Sequence, residues 1–382
     1  MFWIACATIS PSLPSSLLDW PVPSRSGTSC SLRTWARCKH GLEKERTGLV
    51  GRKRFVLGLI VAAIFLALLF YKTDFAEMGR ELARANYWFL APAVGIYLTS
   101  LLFRTLRWHY LMRPIKPLSF SRLFSLVTIG YMANNLLPAR GGELVRTYIL
   151  GEQEKISKTS ILATIAMERI FDGLALLTLA AIVLPWIPMV PWLQDVLRYA
   201  GAIFVGGLVV LILMSTRRGI MLRLAKPFLR LLPARFAMKA HRLLDLFLDG
   251  VSVLRSPRAA LTVFALSILS WLAEAGVYWV VMLSFDMPQG VVPTLLMTTT
   301  ANLAASVPAS QGGIGPFEFA AANTLKLFGV DPQKANPYSL IVHAVMFVPV
   351  TLMGLVYLWR ENLSLAKISQ ERRPVESQGQ VA

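Results

Sequence analysis

Long apolar runs alternate with short polar stretches along most of the chain. A helix needs about 20 apolar residues to cross a bilayer, and the alternating pattern of a transmembrane β-barrel is absent from these runs. The pattern therefore predicts an all-α polytopic membrane protein. Its eight hydrophobic segments lie at about 55–71, 87–103, 120–137, 160–184, 199–214, 259–283, 291–308 and 338–358.

Basic residues mark the cytoplasmic side of membrane proteins, and here they predict the topology. Residues 52–54, the stretch 215–258 and the C-terminal tail are all basic, which places both termini in the cytoplasm. The basic stretch 140–158 stays inside only if the run 120–137 enters and returns on one side. We therefore predict about six spanning helices plus two re-entrant hairpins, the first entering from the cytoplasm and the second from outside. Full crossing by both runs is the alternative.

The chain divides into three parts by composition. Residues 1–50 are rich in Ser, Pro, Trp and Arg and lack periodicity, which predicts a disordered or non-native extension. Residues 51–360 form the predicted membrane domain, with halves at about 51–198 and 199–360, and residues 361–382 form a polar cytoplasmic tail. Within the domain, 215–258 mixes Leu and Arg at helical spacing, which indicates amphipathic helices on the inner leaflet. A linker packed on the helix bundle is the alternative.

Two stretches repeat the same order of residues. "NNLLPARGGELVR" begins at Asn134 and "ANLAASVPASQGGIGPFEF" begins at Ala301, and both read Asn-Leu, Pro-Ala, Gly-Gly and Glu. Each follows two apolar spans and precedes one, so the second half is predicted to be inverted relative to the first. Inverted repeats with broken helices are typical of transporters whose substrate site lies at the repeat interface. Two ordinary loops between helices are the alternative.

Ionisable residues inside apolar runs are costly and usually functional. Glu168, Arg169 and Asp172 lie within the run 160–184. Arg169 can pair with Asp172 three residues later, which leaves Glu168 free to act, or all three form a structural triad. Arg140 and Arg146 are candidates for binding a lipid phosphate, because guanidinium groups bind phosphate through two parallel hydrogen bonds.

The remaining carboxylates are candidates for proton coupling or for a substrate amine. They are Glu143, Glu168, Glu274 and Glu318. Membrane anchoring is the alternative for Arg146, and a hydrogen bond to a neighbouring helix is the alternative for Glu274. We expect Arg104 and Arg107 to contact headgroups and His343 to pack without a partner. The predicted substrate-binding residues are Asn135, Arg140, Glu143, Arg146, Glu168, Arg169, Asp172, Glu274, Asn302, Gly312, Gly313 and Glu318.

The net charge of +18 does not indicate a nucleic-acid partner, because the basic residues adjoin apolar spans and suit anionic headgroups. The three cysteines, all before residue 40, are not spaced like a metal site. We therefore expect no cofactor, no metal and no catalytic residue. The expected partner is a membrane phospholipid or a lipid-linked substrate, with self-association or envelope biosynthesis enzymes as open alternatives.

At "NNLLPARGGELVR", "MERIFDG" and "PASQGGIGPFEF" the sequence resembles the lysylphosphatidylglycerol synthase transmembrane family, also called flippase-like proteins. The resemblance implies a lipid-binding or lipid-flipping domain in a bacterial inner membrane. The tail after the last span is short, so we expect the lysine-transferring domain of larger relatives to be absent. We therefore expect translocation of a charged phospholipid or lipid-linked intermediate and no enzyme activity. The alternatives are a non-catalytic partner in envelope lipid or polysaccharide biosynthesis and, less favoured, a membrane-embedded transferase.

Overall fold

The computed structural model describes residues 56–361, except 58, 72, 138–140, 188–189, 218, 220, 224–226, 228–233, 288–289 and 307–309. Helices connected by turns make up this part of the chain, and it contains no strand. The helices are α1 (Leu59–Phe70), α2 (Phe75–Arg84), α3 (Leu90–Met112), α4 (Phe120–Leu136), α5 (Gly142–Glu154), α6 (Lys158–Val183), α7 (Pro191–Thr216), α8 (Ala234–Gly250), α9 (Pro257–Ser284), α10 (Val291–Ser306), α11 (Pro316–Lys326) and α12 (Pro332–Arg360).

Four helical stretches in the described part are long and apolar enough to cross a membrane. They contain α3, α7, α9 and α12, and the pair α1 and α2, bent by 88°, would make a fifth. Helix α6 has 26 residues, enough for about 39 Å at roughly 1.5 Å per residue. It carries Glu168, Arg169 and Asp172 near its centre and is not among the four. The structure confirms the all-helical fold with several membrane-spanning helices, while the count of six spans and two hairpins stays a prediction.

Helices α3 and α9, one from each predicted half, pack side by side and run antiparallel. The backbone N–H of Asn86, just before α3, donates to the carbonyl of Ser284 at the end of α9 over 2.8 Å. Near the middle of both helices the hydroxyl of Ser100 donates to the carbonyl of Ser270 over 2.9 Å. An antiparallel arrangement is what two halves of opposite orientation require.

Each repeated motif joins two helices that fold back on each other. Lys116, just before α4, pairs over 2.8 Å with Glu154, the last residue of α5, so the chain returns to the level where it began. In the second pair, the hydroxyls of Thr300 on α10 and Thr324 on α11 hydrogen-bond over 2.7 Å. Both connections therefore close antiparallel helix pairs.

The tips of the two pairs meet beside the middle of α12. The side-chain amide of Asn135 donates to Thr351 over 2.8 Å and to the carbonyl of Phe347 over 3.3 Å. A Cβ placed on Gly312 would lie 2.6 Å from the ring of Phe347 and 3.4 Å from the Cα of Asn135. The two motifs, 177 positions apart between these residues, thus contact each other.

The glycines of the two motifs serve different backbone needs. Gly142 begins α5 and does not have a positive φ, but a Cβ there would collide with the carbonyl of Gly130 on α4. Glycine therefore permits close helix packing at this position. In the second motif Gly312, Gly313 and Gly315 have φ values of 60°, 81° and 96°. This left-handed region of backbone conformation favours glycine.

The structure corrects one prediction about the helices, and several other predicted features lie outside the described residues. The second apolar run does not end at 103, because α3 continues to Met112 and carries its two arginines into the bundle. Helix α8 belongs to the basic stretch 215–258. One side of it packs on α6, where Ser160 donates to the carbonyl of Leu246 over 3.0 Å, and Met238 on it is 70% exposed. The predicted extension 1–50, Pro138, Arg140, Pro308 and the tail beyond 361 lie outside the described residues.

Candidate functional site

A polar cavity of about 300 Å³ lies where the two motifs meet. Helices α3, α4 and α6 of the first half and α7, α9, α10, α11 and α12 of the second contribute to its wall, as does Gly312 from the second motif. Its polar side chains are those of Tyr97, Arg104, Tyr131, Asn135, Arg169, Asp172, Trp271, Glu274, Asn302, Ser306 and His343. Both halves are thus needed to form it.

Arg107 on α3 forms an ion pair with Asp172 of the cavity wall. Its side chain is fully buried, and its two terminal nitrogens approach the two oxygens of Asp172 at 2.6 and 3.2 Å. It also donates to Ser267 on α9 over 2.7 Å, and a carboxylate oxygen of Glu168 lies 3.6 Å away. A paired guanidinium with two parallel hydrogen bonds is the geometry that makes a buried arginine tolerable.

Arg104 forms a second pair, with Glu274 on α9. It also donates to the hydroxyl of Tyr131 over 2.6 Å, and its guanidinium lies 4.3 Å from the ring centre of Trp271. Trp271 in turn donates its indole N–H to Asp172 over 3.1 Å, which connects the two pairs. The expectation that Arg104 and Arg107 contact headgroups is therefore wrong, because carboxylates on other helices neutralise both inside the bundle.

Arg146 is neither exposed nor part of the cavity wall. It donates to Glu168 and stacks on Trp108, with 4.1 Å between the guanidinium carbon and the ring centre. Glu168 therefore lies between Arg146 and Arg107, which rules out the alternative in which it is free. This carboxylate is buried, with 2% of its surface exposed. Its burial between two cationic neighbours indicates a structural role.

Arg169 is the least satisfied cation of the group. The predicted pair with Asp172 is present at 3.6 Å, and Glu143 lies at 3.7 Å on the other side. Both distances exceed that of a normal hydrogen bond. The Nε of Arg169 is buried without a hydrogen-bond partner among the described residues. The Nε atoms of Arg107 and Arg146 share that state, yet the Arg169 side chain lines the cavity and is 32% exposed.

These ion pairs form one charge network at the centre of the bundle. It holds equal numbers of arginines and carboxylates, so it carries no net charge when all are ionised. Buried ion pairs are weak sources of stability, because desolvation offsets their attraction, and a set of them beside a cavity indicates a functional site. The members of the charge network are Arg104, Arg107, Arg146, Arg169, Glu143, Glu168, Asp172 and Glu274.

His343 and Glu318 form a separate pair at the α12 side of the cavity. The Nδ1 of His343 lies 2.6 Å from Glu318, so the expectation that His343 packs without a partner is wrong. The other oxygen of Glu318 accepts the backbone N–H of Gly315 over 2.7 Å and holds the second break in shape. Glu318 therefore lies behind His343, which lines the cavity.

The structure brings six of the predicted residues to the cavity wall: Asn135, Arg169, Asp172, Glu274, Asn302 and Gly312. Glu143, Arg146 and Glu168 lie behind the wall in the charge network, and Gly313 and Glu318 support the second break. Sequence reasoning missed the roles of Arg104, Arg107, Tyr131, Trp271 and His343. The sequence did contain a signal for the two arginines. The apolar runs hold more carboxylates than basic residues, and each buried carboxylate needs a buried cation as its partner.

The apolar helices and the polar cavity at their centre define a multi-pass membrane protein with an internal polar site. The chain belongs to the lysylphosphatidylglycerol synthase TM region family, which matches residues 55–354.

Curated relatives share about a quarter of their residues with this chain. Glycosyltransferase AglD of Haloferax volcanii is 25% identical over 379 residues, which cover 90% of this chain and 59% of AglD. A UPF0104 membrane protein of Methanothermobacter thermautotrophicus is 26% identical over 80% of this chain and 92% of its own length. UPF0104 membrane protein PH1989 of Pyrococcus horikoshii is 23% identical over 81% and 98%. The chain thus spans most of the UPF0104 proteins but less than two thirds of AglD.

Proposed function

We propose that this protein binds the phosphate-bearing headgroup of a membrane lipid in the polar cavity and moves it between the two leaflets. The observation that carries the proposal is a cavity walled by both repeated motifs and bordered by buried charges, inside an otherwise apolar bundle. A polar path of this kind lowers the cost of taking a headgroup through hydrocarbon, which is several kcal/mol for each unsatisfied polar group.

Arg169 is the residue we assign to the lipid phosphate. Its contacts to Glu143 and Asp172 are long, its side chain lines the cavity, and its buried Nε has no hydrogen-bond partner among the described residues. Phosphate oxygens accept two parallel hydrogen bonds from a guanidinium at shorter distances than those carboxylates provide here. Arg104 and Arg107 are less suited, because each already donates to a close carboxylate.

The movement between leaflets rests on the proposed topology, in which α4–α5 and α10–α11 are hairpins that enter from opposite sides. The pairing of Lys116 with Glu154 and the meeting of Asn135 with Gly312 beside the middle of α12 support this arrangement. In this arrangement each hairpin faces the shared site from one side of the membrane, as in transporters built from inverted repeats. The location in a bacterial inner membrane with both termini inside remains part of the prediction.

Cysteine labelling tests the topology. The native cysteines Cys6, Cys30 and Cys38 precede the membrane domain and are replaced by serine, and single cysteines are then placed at Lys155 and at Asp331. With a membrane-impermeant maleimide on intact cells, we expect labelling at position 331 and protection at 155. Labelling of position 155 from outside would contradict the first hairpin.

A lipid-movement assay tests the function. Purified protein is placed in liposomes that contain a trace of fluorescent phosphatidylglycerol, and dithionite bleaches only the outer leaflet. We expect Arg169→Gln to slow the bleaching of inner-leaflet lipid by about tenfold or more, the effect of one lost charged hydrogen bond. Arg80→Gln, at a site 61% exposed on α2, is the matched control. Equal rates in protein-containing and protein-free liposomes would contradict translocation.

The relative named glycosyltransferase AglD favours a second candidate. In this alternative the protein is a membrane partner, or a membrane-embedded transferase, in lipid or glycan biosynthesis. The same polar cavity would then hold a lipid-linked substrate without moving it. Product formation by the purified protein from a lipid-linked sugar, or stable copurification with a glycosyltransferase in the absence of lipid movement, would support this alternative over translocation.

A further inference from the structure

A second, larger cavity adjoins the polar one. It has a volume of about 990 Å³ and forms a groove between the first half of α7 and the facing sides of α10 and α11. Its wall is mainly aliphatic and aromatic, with Ile203 and Phe319 among the residues that line it. We name it the α7 groove.

The α7 groove and the polar cavity share part of their walls. Phe204 on α7 and Leu303 and Ser306 on α10 border both spaces. The ring of Phe204 packs against Gly173 of α6, the residue after Asp172, and a Cβ on Gly173 would collide with that ring. The ring of Phe204 therefore lies between the apolar groove and the charged site.

We propose that the α7 groove binds the acyl chain of the lipid whose headgroup occupies the polar cavity, with Phe204 as the side chain that separates the two. This inference rests on the proposed function. The polar cavity has a volume of about 300 Å³. That volume lies at the lower limit of ligand pockets and suits a headgroup alone. A diacyl lipid bound there needs an apolar exit for its chains, and the groove shares Phe204, Leu303 and Ser306 with the wall of the cavity.

The groove contributes position and selectivity rather than hydrophobic affinity. An acyl chain that leaves bilayer hydrocarbon for an apolar protein groove gains little, because lipid tails are as apolar as leucine. The acyl chain of the bound lipid is therefore expected to stay in the groove because its headgroup is held beside Arg169. This coupling distinguishes a bound substrate from the lipids that surround any membrane protein.

Photo-crosslinking tests the coupling. The probe is phosphatidylglycerol with a diazirine at the end of one acyl chain, in phosphatidylcholine nanodiscs that contain the full-length protein. We expect mass spectrometry to find label in peptides covering 195–204 and 319–327. Arg169→Gln should reduce that label by about tenfold, the effect of one lost charged hydrogen bond.

Groove variants complete the experiment. Ala304→Trp fills the α7 groove and should remove the label, whereas Val209→Trp, 51% exposed on α7 and away from the groove wall, should not. Phe204→Ala removes the ring between the two spaces and should shift label toward α6 peptides near Gly173. Unchanged label in Arg169→Gln, or no label in the groove peptides of the wild type, would overturn the inference.

The two proposals fail separately in this design. Lipid movement is measured on the same variants in liposomes. If movement depends on Arg169 but groove labelling does not, translocation stands and the acyl-chain site is refuted. If labelling depends on Arg169 but no lipid moves, the acyl-chain site stands and translocation is refuted.

Discussion

The Arg104–Glu274 pair provides a quantitative test of the charge network. Both side chains are almost fully buried and lie on helices of different halves. Replacing Glu274 with Leu leaves a buried guanidinium, which cannot lose its proton. Loss of one partner of a buried pair costs about 3–5 kcal/mol, and we expect the lower end of that range here. The reason is that the Tyr131 hydroxyl at 2.6 Å and the ring of Trp271 remain as partners of Arg104.

The reverse substitution should cost less. Arg104→Leu leaves Glu274 alone, and a buried carboxylic acid can bind a proton and become neutral. We expect a loss of about 1–3 kcal/mol, typical of an unsatisfied polar group. This loss should shrink as the pH falls, because protonation of Glu274 becomes easier. The loss in Glu274→Leu should not shrink, since Arg104 stays charged throughout.

The double variant Arg104→Leu/Glu274→Leu should recover most of the lost stability, because apolar pairs often replace buried ion pairs at little cost. The free energy of unfolding is measured by titration from dodecyl maltoside into SDS, with tryptophan fluorescence as the signal. We expect a coupling energy of about 3 kcal/mol between the two sites, well above the average of about 0.6 kcal/mol for interhelical hydrogen bonds in membranes. A coupling at or below that average would refute the buried pair.

Two further predictions concern the breaks. A methyl group added at Gly142 meets the backbone of α4, whereas one added at Gly95 meets no neighbouring atom. Gly142→Ala should therefore destabilise the protein by about 3 kcal/mol or prevent folding. Gly95→Ala is the control and should change the unfolding free energy by no more than about 0.5 kcal/mol. Glu318→Ala removes the acceptor of Gly315 and the partner of His343, which should cost about 1–3 kcal/mol. Glu318→Gln should retain most of that stability, and equal losses in both variants would contradict the assigned hydrogen bond.

Local spacing explains the parts of the site that the sequence could predict. The pair of Arg169 with Asp172 follows from a separation of three on one helix. The match between the two motifs followed from their shared residue order, and the structure places Asn135 and Gly312 in proximity. Both inferences need only neighbours along the chain or a repeated pattern.

The remaining contacts depend on packing that no local pattern contains. Arg104 ended the predicted span because an arginine lowers hydropathy, yet its partner Glu274 lies 170 positions away. The sequence left open whether Glu168 is free, because its partners Arg146 and Arg107 come from two other helices. In each case the charge is tolerated only once a distant helix supplies the opposite charge. Such pairs become visible only when the helix arrangement is known.

The identity of the cavity as a headgroup site has a direct structural test. An electron cryomicroscopy map of the protein in phosphatidylglycerol nanodiscs would show any lipid held inside the bundle. We expect phosphate density within hydrogen-bond distance, about 3 Å, of the Arg169 guanidinium, together with acyl density in the α7 groove. A cavity that contains only water, with lipid density confined to the outer surface of the helices, would contradict the central claim that this cavity binds a lipid headgroup.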